Sequence, residues 1–187
     1  DRGLVSLQHQ TAISPNWYAS ANLNHVSDDR YFEDFGASLA NASISLLASQ
    51  AGIYGRGLGW NASLAAQEWQ IASPAVLPGT EPYRRLPTAQ AAWSRPFQTW
   101  LELGAYGEGV RFEHETLDGG NRLDLRPYVR LPFGGAAWFL TPQFAWRYTA
   151  YSLDDGLVAP GNSDSPDRSV PVTSLDAGAY FEREFSW

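Results

Sequence analysis

From Asn121 to Phe133 the chain reads NRLDLRPYVRLPF, with Leu123, Leu125, Pro127, Val129, Leu131 and Phe133 on one parity and Arg122, Asp124, Arg126, Tyr128 and Arg130 on the other. Successive side chains of a strand point to opposite faces, so this period of two predicts one apolar and one strongly charged face. The alternation recurs. Trp138, Leu140, Pro142, Phe144, Trp146 and Tyr148 oppose Thr141, Gln143, Arg147 and Thr149, while Leu101, Leu103 and Ala105 oppose Glu102 and Glu108. Leu58, Trp60, Ala62 and Leu64 oppose Asn61, Ser63 and Gln67, and Leu175, Ala177, Ala179 and Phe181 oppose Asp176 and Glu182. Helical periodicity is hard to find, and Gly, Pro, Asn and Asp clusters punctuate the runs. The pattern predicts an all-β chain, an antiparallel meander of about nine strands near 3–13, 17–26, 41–52, 57–71, 87–94, 97–113, 121–133, 136–152 and 170–186.

The predicted connections alternate in length. SPN after Ile13, IYGR near Gly55, SRP after Trp93 and the pair Gly134-Gly135 are tight, and each supplies residues a hairpin needs. Between them lie SDDRYFEDFGAS, ASPAVLPGTEPYRRL, HETLDGGN and SLDDGLVAPGNSDSPDR. In a meander, alternate connections emerge at opposite edges, so the tight turns share one rim and the long loops the other. Transmembrane barrels of the outer membrane have this asymmetry, with short periplasmic turns and long extracellular loops.

Alternation alone does not say which row meets solvent, because a sandwich core alternates too. The length of 97–113 and 136–152 exceeds the usual globular strand and suits a tilted bilayer span. The reading is therefore a segment of a large transmembrane β-barrel. Leu101, Leu103, Leu123, Leu125, Val129, Leu131, Trp138, Leu140, Phe144 and Trp146 are its lipid-facing candidates. Glu102, Glu108, Arg122, Asp124, Arg126, Arg130, Arg147, Asp176 and Glu182 are its lumen-facing candidates, with simple wetting and cross-strand pairing as their plainer role. Pro127, Pro132 and Pro142 each remove a ladder donor and are expected at bulges or breaks.

Composition sharpens this picture. A net charge of -7, from 13 basic and 20 acidic side chains, argues against nucleic acid as a partner, which requires clustered cations. The mean hydropathy is -0.31 and no stretch approaches the ~18 apolar residues of a spanning helix. Asp1 opens directly in strand-like text, so no leader is expected and the chain reads as mature or as an excerpt. Cysteine is absent, which removes disulfides and thiolate metal sites. Aromatic residues make up 14% of the chain, an excess suited to boundaries that are apolar on one side and wet on the other.

Candidate chemistry is sparse. His9, His25 and His114 show no metal-ligand spacing, and EHE at 113–115 reads as a charged strand end, so neither metal nor cofactor is expected. His25 and Ser27 are two apart and could share a face, as in outer-membrane phospholipase barrels, but the surrounding motif is missing. The acidic run at 154–167 misses the EF-hand spacing, and the sequons at Asn41 and Asn61 lie in strand text. Gly104, Gly107 and Gly109 suit curvature or close approach rather than a nucleotide loop. No catalytic residue is assigned.

NHVSDDRYFEDFG (24–36), PYRRLP (82–87), GGNRLDLRPYVRLPF (119–133), FLTPQFAWRYTAYSLD (139–154) and SLDAGAYFERE (174–184) together resemble the barrel domain of the LptD family, outer-membrane proteins of lipopolysaccharide assembly. The resemblance runs over nearly the whole chain in family order. It implies non-covalent transfer of lipopolysaccharide from a periplasmic bridge to the outer leaflet of a Gram-negative outer membrane, with the lipoprotein LptE plugging the lumen. It also implies an N-terminal periplasmic domain, inter-domain disulfides and further strands, none present here, so the chain looks like roughly the first half of a barrel wall. The terminal EFSW resembles an aromatic-ended assembly signal only by accident, because FERE is internal in the family. A general porin and, more remotely, a phospholipase-like hydrolase are the alternatives.

Overall fold

The computed structural model of the chain describes residues 2–36, 38, 43–154 and 163–183. Ten strands form one antiparallel sheet: β1 (Leu4–Ser14), β2 (Trp17–Val26), β3 (Leu46–Gly57), β4 (Trp60–Ile71), β5 (Arg84–Gln98), β6 (Leu101–Glu113), β7 (Gly120–Arg130), β8 (Phe133–Gly135), β9 (Trp138–Leu153) and β10 (Asp167–Ala179). Their order is β1-β2-β3-β4-β5-β6-β7-β9-β10, with the short β8 paired to β9. Apart from β8, which follows β7 along the same side of β9, each strand lies beside its neighbour in the chain, as in the expected meander. Among the described residues β1 and β10 form the two edges and pair on one side only. Tight turns and long loops alternate along this order.

Three tight turns fall beyond their predicted positions. β3 runs through Gly55 and turns at Leu58-Gly59, where Gly59 takes a φ of +73. Gly55 is a point of close approach instead of a turn: a Cβ there would come within 2.7 Å of the Trp17 indole. β5 runs through Pro96, opposite Glu102, and absorbs the missing donor in a register shift between Pro96 and Gln98. At Pro132 the ladder breaks, the Leu131 N–H donates to the Pro142 carbonyl, and pairing resumes at Phe133 opposite Leu140, so the expected turn pair Gly134-Gly135 is strand and the turn falls at Ala136-Ala137. This break creates β8, the strand beyond the expected nine. The β7–β9 ladder skips Arg126 and Pro127, whereas Pro142 stays in register opposite Leu175.

Other boundaries shift as well. β10 starts at Asp167 and ends at Ala179, so Phe181 and Glu182 lie past its end. β3 starts at Leu46, and Ser43 to Ser45 precede it as turn and coil. The first long loop carries a five-residue helix, α1 (Tyr31–Phe35), too short to print a 3.6-residue period. Asn41, most of the acidic run after Asp154 and the EFSW terminus lie outside the described residues.

Among the described residues a conventional core forms in one place. Val26, Phe32 and Ala72 are buried together, with Tyr31, Ile44 and Leu47 packed on them where the first long loop meets the ends of β2 and β3. There β2 and β3 part: backbone pairing ends at Asn22 opposite Gln50. The Ser49 hydroxyl accepts from the Asn24 N–H and donates to its carbonyl, both at 2.9 Å. The Gln70 amide does the same for Val26, accepting at 3.0 Å and donating at 2.7 Å. Two side chains thus stand in for a missing stretch of partner strand and leave no orphaned backbone groups on β2 there.

Candidate functional site

Directly paired residues of an antiparallel sheet share a face. Register therefore places Glu102 opposite Arg130, Glu108 opposite Asp124 and Tyr106 opposite Arg126 on one face of β6 and β7. β5 adds Gln90 opposite Glu108, and β9 adds Thr149 opposite Asp124 and Gln143 opposite Arg130. Asp176 joins the same face opposite Thr141.

These side chains form a ladder of three clusters. Glu102 accepts from the Tyr128 hydroxyl at 3.1 Å and faces the Arg130 guanidinium at 3.5 Å, while Arg130 donates to Gln143 at 3.1 Å. Glu108 accepts from Gln90 at 2.6 Å, from Tyr106 at 3.3 Å and from Arg122. The Arg122 guanidinium also lies 5.4 Å above the Phe112 ring. Asp124 accepts from Arg147 at 2.9 and 2.6 Å and from the Thr149 hydroxyl at 3.0 Å. Charge-assisted bonds of this kind compensate a carboxylate for lost water. Asp124 needs that compensation most, being only 4% exposed.

The opposite face behaves in reverse. Leu123, Leu125, Val129, Trp138, Phe144 and Trp146 are exposed, Phe144 and Trp146 to 52% each, and no second layer of the described residues covers them. Leu101, Leu103 and Leu140 lie on this face half-buried between neighbours, and Leu131 sits half-buried in the break between β7 and β8. On β7 every member of the charged row except Arg126 is buried or half-buried and the greasy row is open, the inverse of a soluble half-buried strand.

The expected charged residues thus share one face, with one exception. Glu182 lies beyond β10 and is exposed, because the strand ends before it. Arg126 and Asp176 are on the charged face but exposed, and among the described residues neither has an ion-pair partner. Gln90 and Tyr106 were not among the candidates. Both share the parity of the charged row, but they sit in Ala- and Gly-rich strand text where alternation is faint.

The loop rim carries its own ties. Arg2 grips Asp28 at 2.8 Å and Asp34 at 2.6 Å, and this hydrogen-bonded guanidinium pulls the Asp28 carboxyl down to about 2. Arg111 holds Asp154 with two bonds of 2.9 and 2.8 Å, which keeps that carboxyl below its usual range, and Gly119 donates to it at 3.1 Å. His114 is buried. Its Nδ1 accepts from the Thr116 and Leu117 amides, both at 3.2 Å, which leaves Nε2 to donate to the Glu81 carbonyl at 3.1 Å. Both ring nitrogens are spent tying loops, so EHE is a clasp. Ser27 accepts from the Gly3 N–H and donates to Asp28, each at 2.9 Å, and its bonds do not run to His25.

Comparison with known proteins gives this geometry a lineage. The family model described as LptD: LPS transport system D matches residues 1–187. The chain is similar to the LPS-assembly protein LptD of Xylella fastidiosa (strain Temecula1 / ATCC 700964), with 40% identity over 206 residues, 98% of this chain and 26% of that protein. It is similar also to the LPS-assembly proteins LptD of Xanthomonas oryzae pv. oryzae (strain MAFF 311018), 40% identical over 223 residues, and Xanthomonas campestris pv. campestris (strain 8004), 41% identical over 219. Each of these alignments covers 100% of this chain and 27% of the relative, so the chain spans about a quarter of the proteins it matches. These matches favour neither the porin nor the phospholipase alternative. An all-β meander matched from end to end by one family model places the chain in the LptD family.

Proposed function

We propose that the chain is one continuous stretch of the wall of a Gram-negative outer-membrane barrel that inserts lipopolysaccharide into the outer leaflet. The observation that carries this reading is the inverted burial on β7 and β9: Asp124 is packed while Leu123, Leu125 and Phe144 stand open. A greasy row of this kind is stable against hydrocarbon, and a charged row is stable against water. In this reading the lipid-facing set is Leu101, Leu103, Leu123, Leu125, Val129, Leu131, Trp138, Leu140, Phe144 and Trp146. Glu102, Glu108, Arg122, Asp124, Arg126, Arg130, Arg147 and Asp176 line the lumen.

The paired members of the ladder keep the wall rigid and wet. Arg126 and Asp176, which hold no ion pair among the described residues, are the charges free to meet a passing sugar-phosphate head or the plug. The polar head travels along the wet face while acyl chains leave sideways into lipid, and no covalent bond is made or broken. LptE in the lumen and a periplasmic bridge feeding the barrel are the partners of the full-length protein in this scheme.

The test is site-specific photocrosslinking in cells with the full-length protein. A photoreactive residue at Arg126 or Gln143 should capture lipopolysaccharide, and one at Leu125 or Phe144 should capture bulk phospholipid. Lipopolysaccharide adducts confined to the Leu125 and Phe144 positions would overturn the assignment of faces.

A further inference from the structure

On the apolar face, the half of the sheet nearest the tight turns carries a group of indoles. Trp60 pairs with Trp93 across β4 and β5, and Trp17 packs against Trp60 with ring centroids 5.6 Å apart. Trp17 and Trp60 lie over glycine backbone, since a Cβ at Gly55 or Gly57 would strike their rings. Arg95 follows two residues after Trp93 on the same face, opposite Leu103, and three residues before β5 ends at Gln98. It is exposed, and among the described residues its guanidinium has no ion-pair partner. In that half of the sheet it is the one charged side chain on the apolar face among the described residues. The other guanidiniums of β6, β7 and β9 that lie near carboxylates pair with them; Arg95 faces Leu and Trp.

A guanidinium on a hydrocarbon-facing surface is tolerated where its stem can lie along apolar neighbours and its head can reach the headgroup layer. Tryptophans mark that layer, because an indole is apolar in its body and polar at its N–H. The tight-turn rim of an outer-membrane barrel is the periplasmic one. We propose that Arg95, flanked by Trp93 and Trp60, binds the phosphate diester of a glycerophospholipid in the leaflet at the tight-turn rim. The planar fork of arginine suits two phosphate oxygens at once, and the indoles flank the first segments of the acyl chains. This assignment rests on the apolar face meeting hydrocarbon.

The experiment uses the full-length protein, purified from mixed phosphatidylglycerol and phosphatidylcholine, with retained lipid counted by native mass spectrometry. Arg95→Gln should lower retained phosphatidylglycerol about fivefold, the change expected for one cation at a lipid surface. Arg95→Lys should restore part of it. A second arm reconstitutes the same proteins in vesicles of brominated phosphatidylcholine and compares tryptophan quenching with the double variant W60F/W93F. Quenching that depends on Trp60 and Trp93, with lipid retention unchanged in Arg95→Gln, overturns the phosphate site and leaves the assignment of faces intact. Absence of that quenching overturns the assignment of faces and the phosphate site with it.

Discussion

Two regions of this chain follow opposite rules of burial. Around Val26, Phe32 and Ala72, apolar side chains pack inward under a loop helix, as in a water-soluble domain. Across β6, β7 and β9, the carboxylates are the packed groups, held by more open guanidiniums, and leucine, tryptophan and phenylalanine stand open. The first region lies at the loop rim, where the chain is in water and hydrophobic burial drives packing. The second lies along strands whose outer solvent, in our proposal, is lipid and whose inner solvent is water. Burial follows whichever solvent each surface meets, and one strand can change rule along its length. On β2 the polar face changes in this way, passing from exposed Asn22 to fully buried Val26 at the strand's loop end.

The largest consequence of that contrast concerns the sheet in isolation. A wall with two unpaired edges and an open greasy face has no stable solvent in plain buffer. The 187 residues expressed alone should aggregate, as read by size-exclusion chromatography; a monodisperse folded species would contradict the assignment of faces.

Next in size is a pair of single substitutions. In full-length protein in a bilayer, Leu125→Arg should cost about 2–4 kcal/mol if Leu125 sits near mid-depth. Arg126→Leu, one residue away on the other face, should stay within about 1 kcal/mol because its guanidinium holds no ion pair to lose. Urea unfolding followed by gel mobility reads both.

Within the ladder, Asp124→Ala leaves Arg147 and Thr149 without their shared acceptor. Its expected cost is about 2–3 kcal/mol, since hydrogen bonds to a charged group are the stronger kind. The double variant with Arg147→Ala should cost less than the sum of the two single changes, a non-additivity readable by the same unfolding measurement.

At the loop rim the effects become local. Phe32→Ala removes the buried ring of a small cluster and should cost that loop about 3 kcal/mol locally, the low end for such truncations. The expected sign is faster protease cleavage within residues 27–45 while the sheet's unfolding midpoint holds.

The smallest effect is one of pH. Asp28 has its folded pKa drawn down to about 2 from its ordinary 3.8, so its contribution is present above pH 3.8 and fades as pH falls toward 2. Because Asp28 lies near the surface, only the anchoring of the Arg2 segment should respond. Cleavage there by an acid protease should rise over that window and become pH-independent in Arg2→Gln.

Much of the wall is legible in sequence. The period of two at 121–133 and 138–149 survives in the register, because alternation is a property of each strand alone. Residues that act through a neighbour are less legible. Gly55 reads as a turn residue until the Trp17 ring is seen lying over it, and Pro96 reads as a stop until its bulge is seen. Ser49 and Gln70 give no sign in sequence of replacing a strand for β2, since what they bind is backbone. His114 resembled a ligand because its carboxylate neighbours are adjacent in sequence, while the amides and the carbonyl that use its nitrogens come from two loops. Glu182 kept its parity but lost its strand.

The most direct test of the inverted burial is collisional spin-label accessibility in proteoliposomes of the full-length protein. With labels at Leu125→Cys and Arg126→Cys, relaxation at 125 should respond to oxygen, which partitions into hydrocarbon, and relaxation at 126 to a water-soluble nickel chelate. Nickel accessibility at 125 combined with oxygen accessibility at 126 would contradict it.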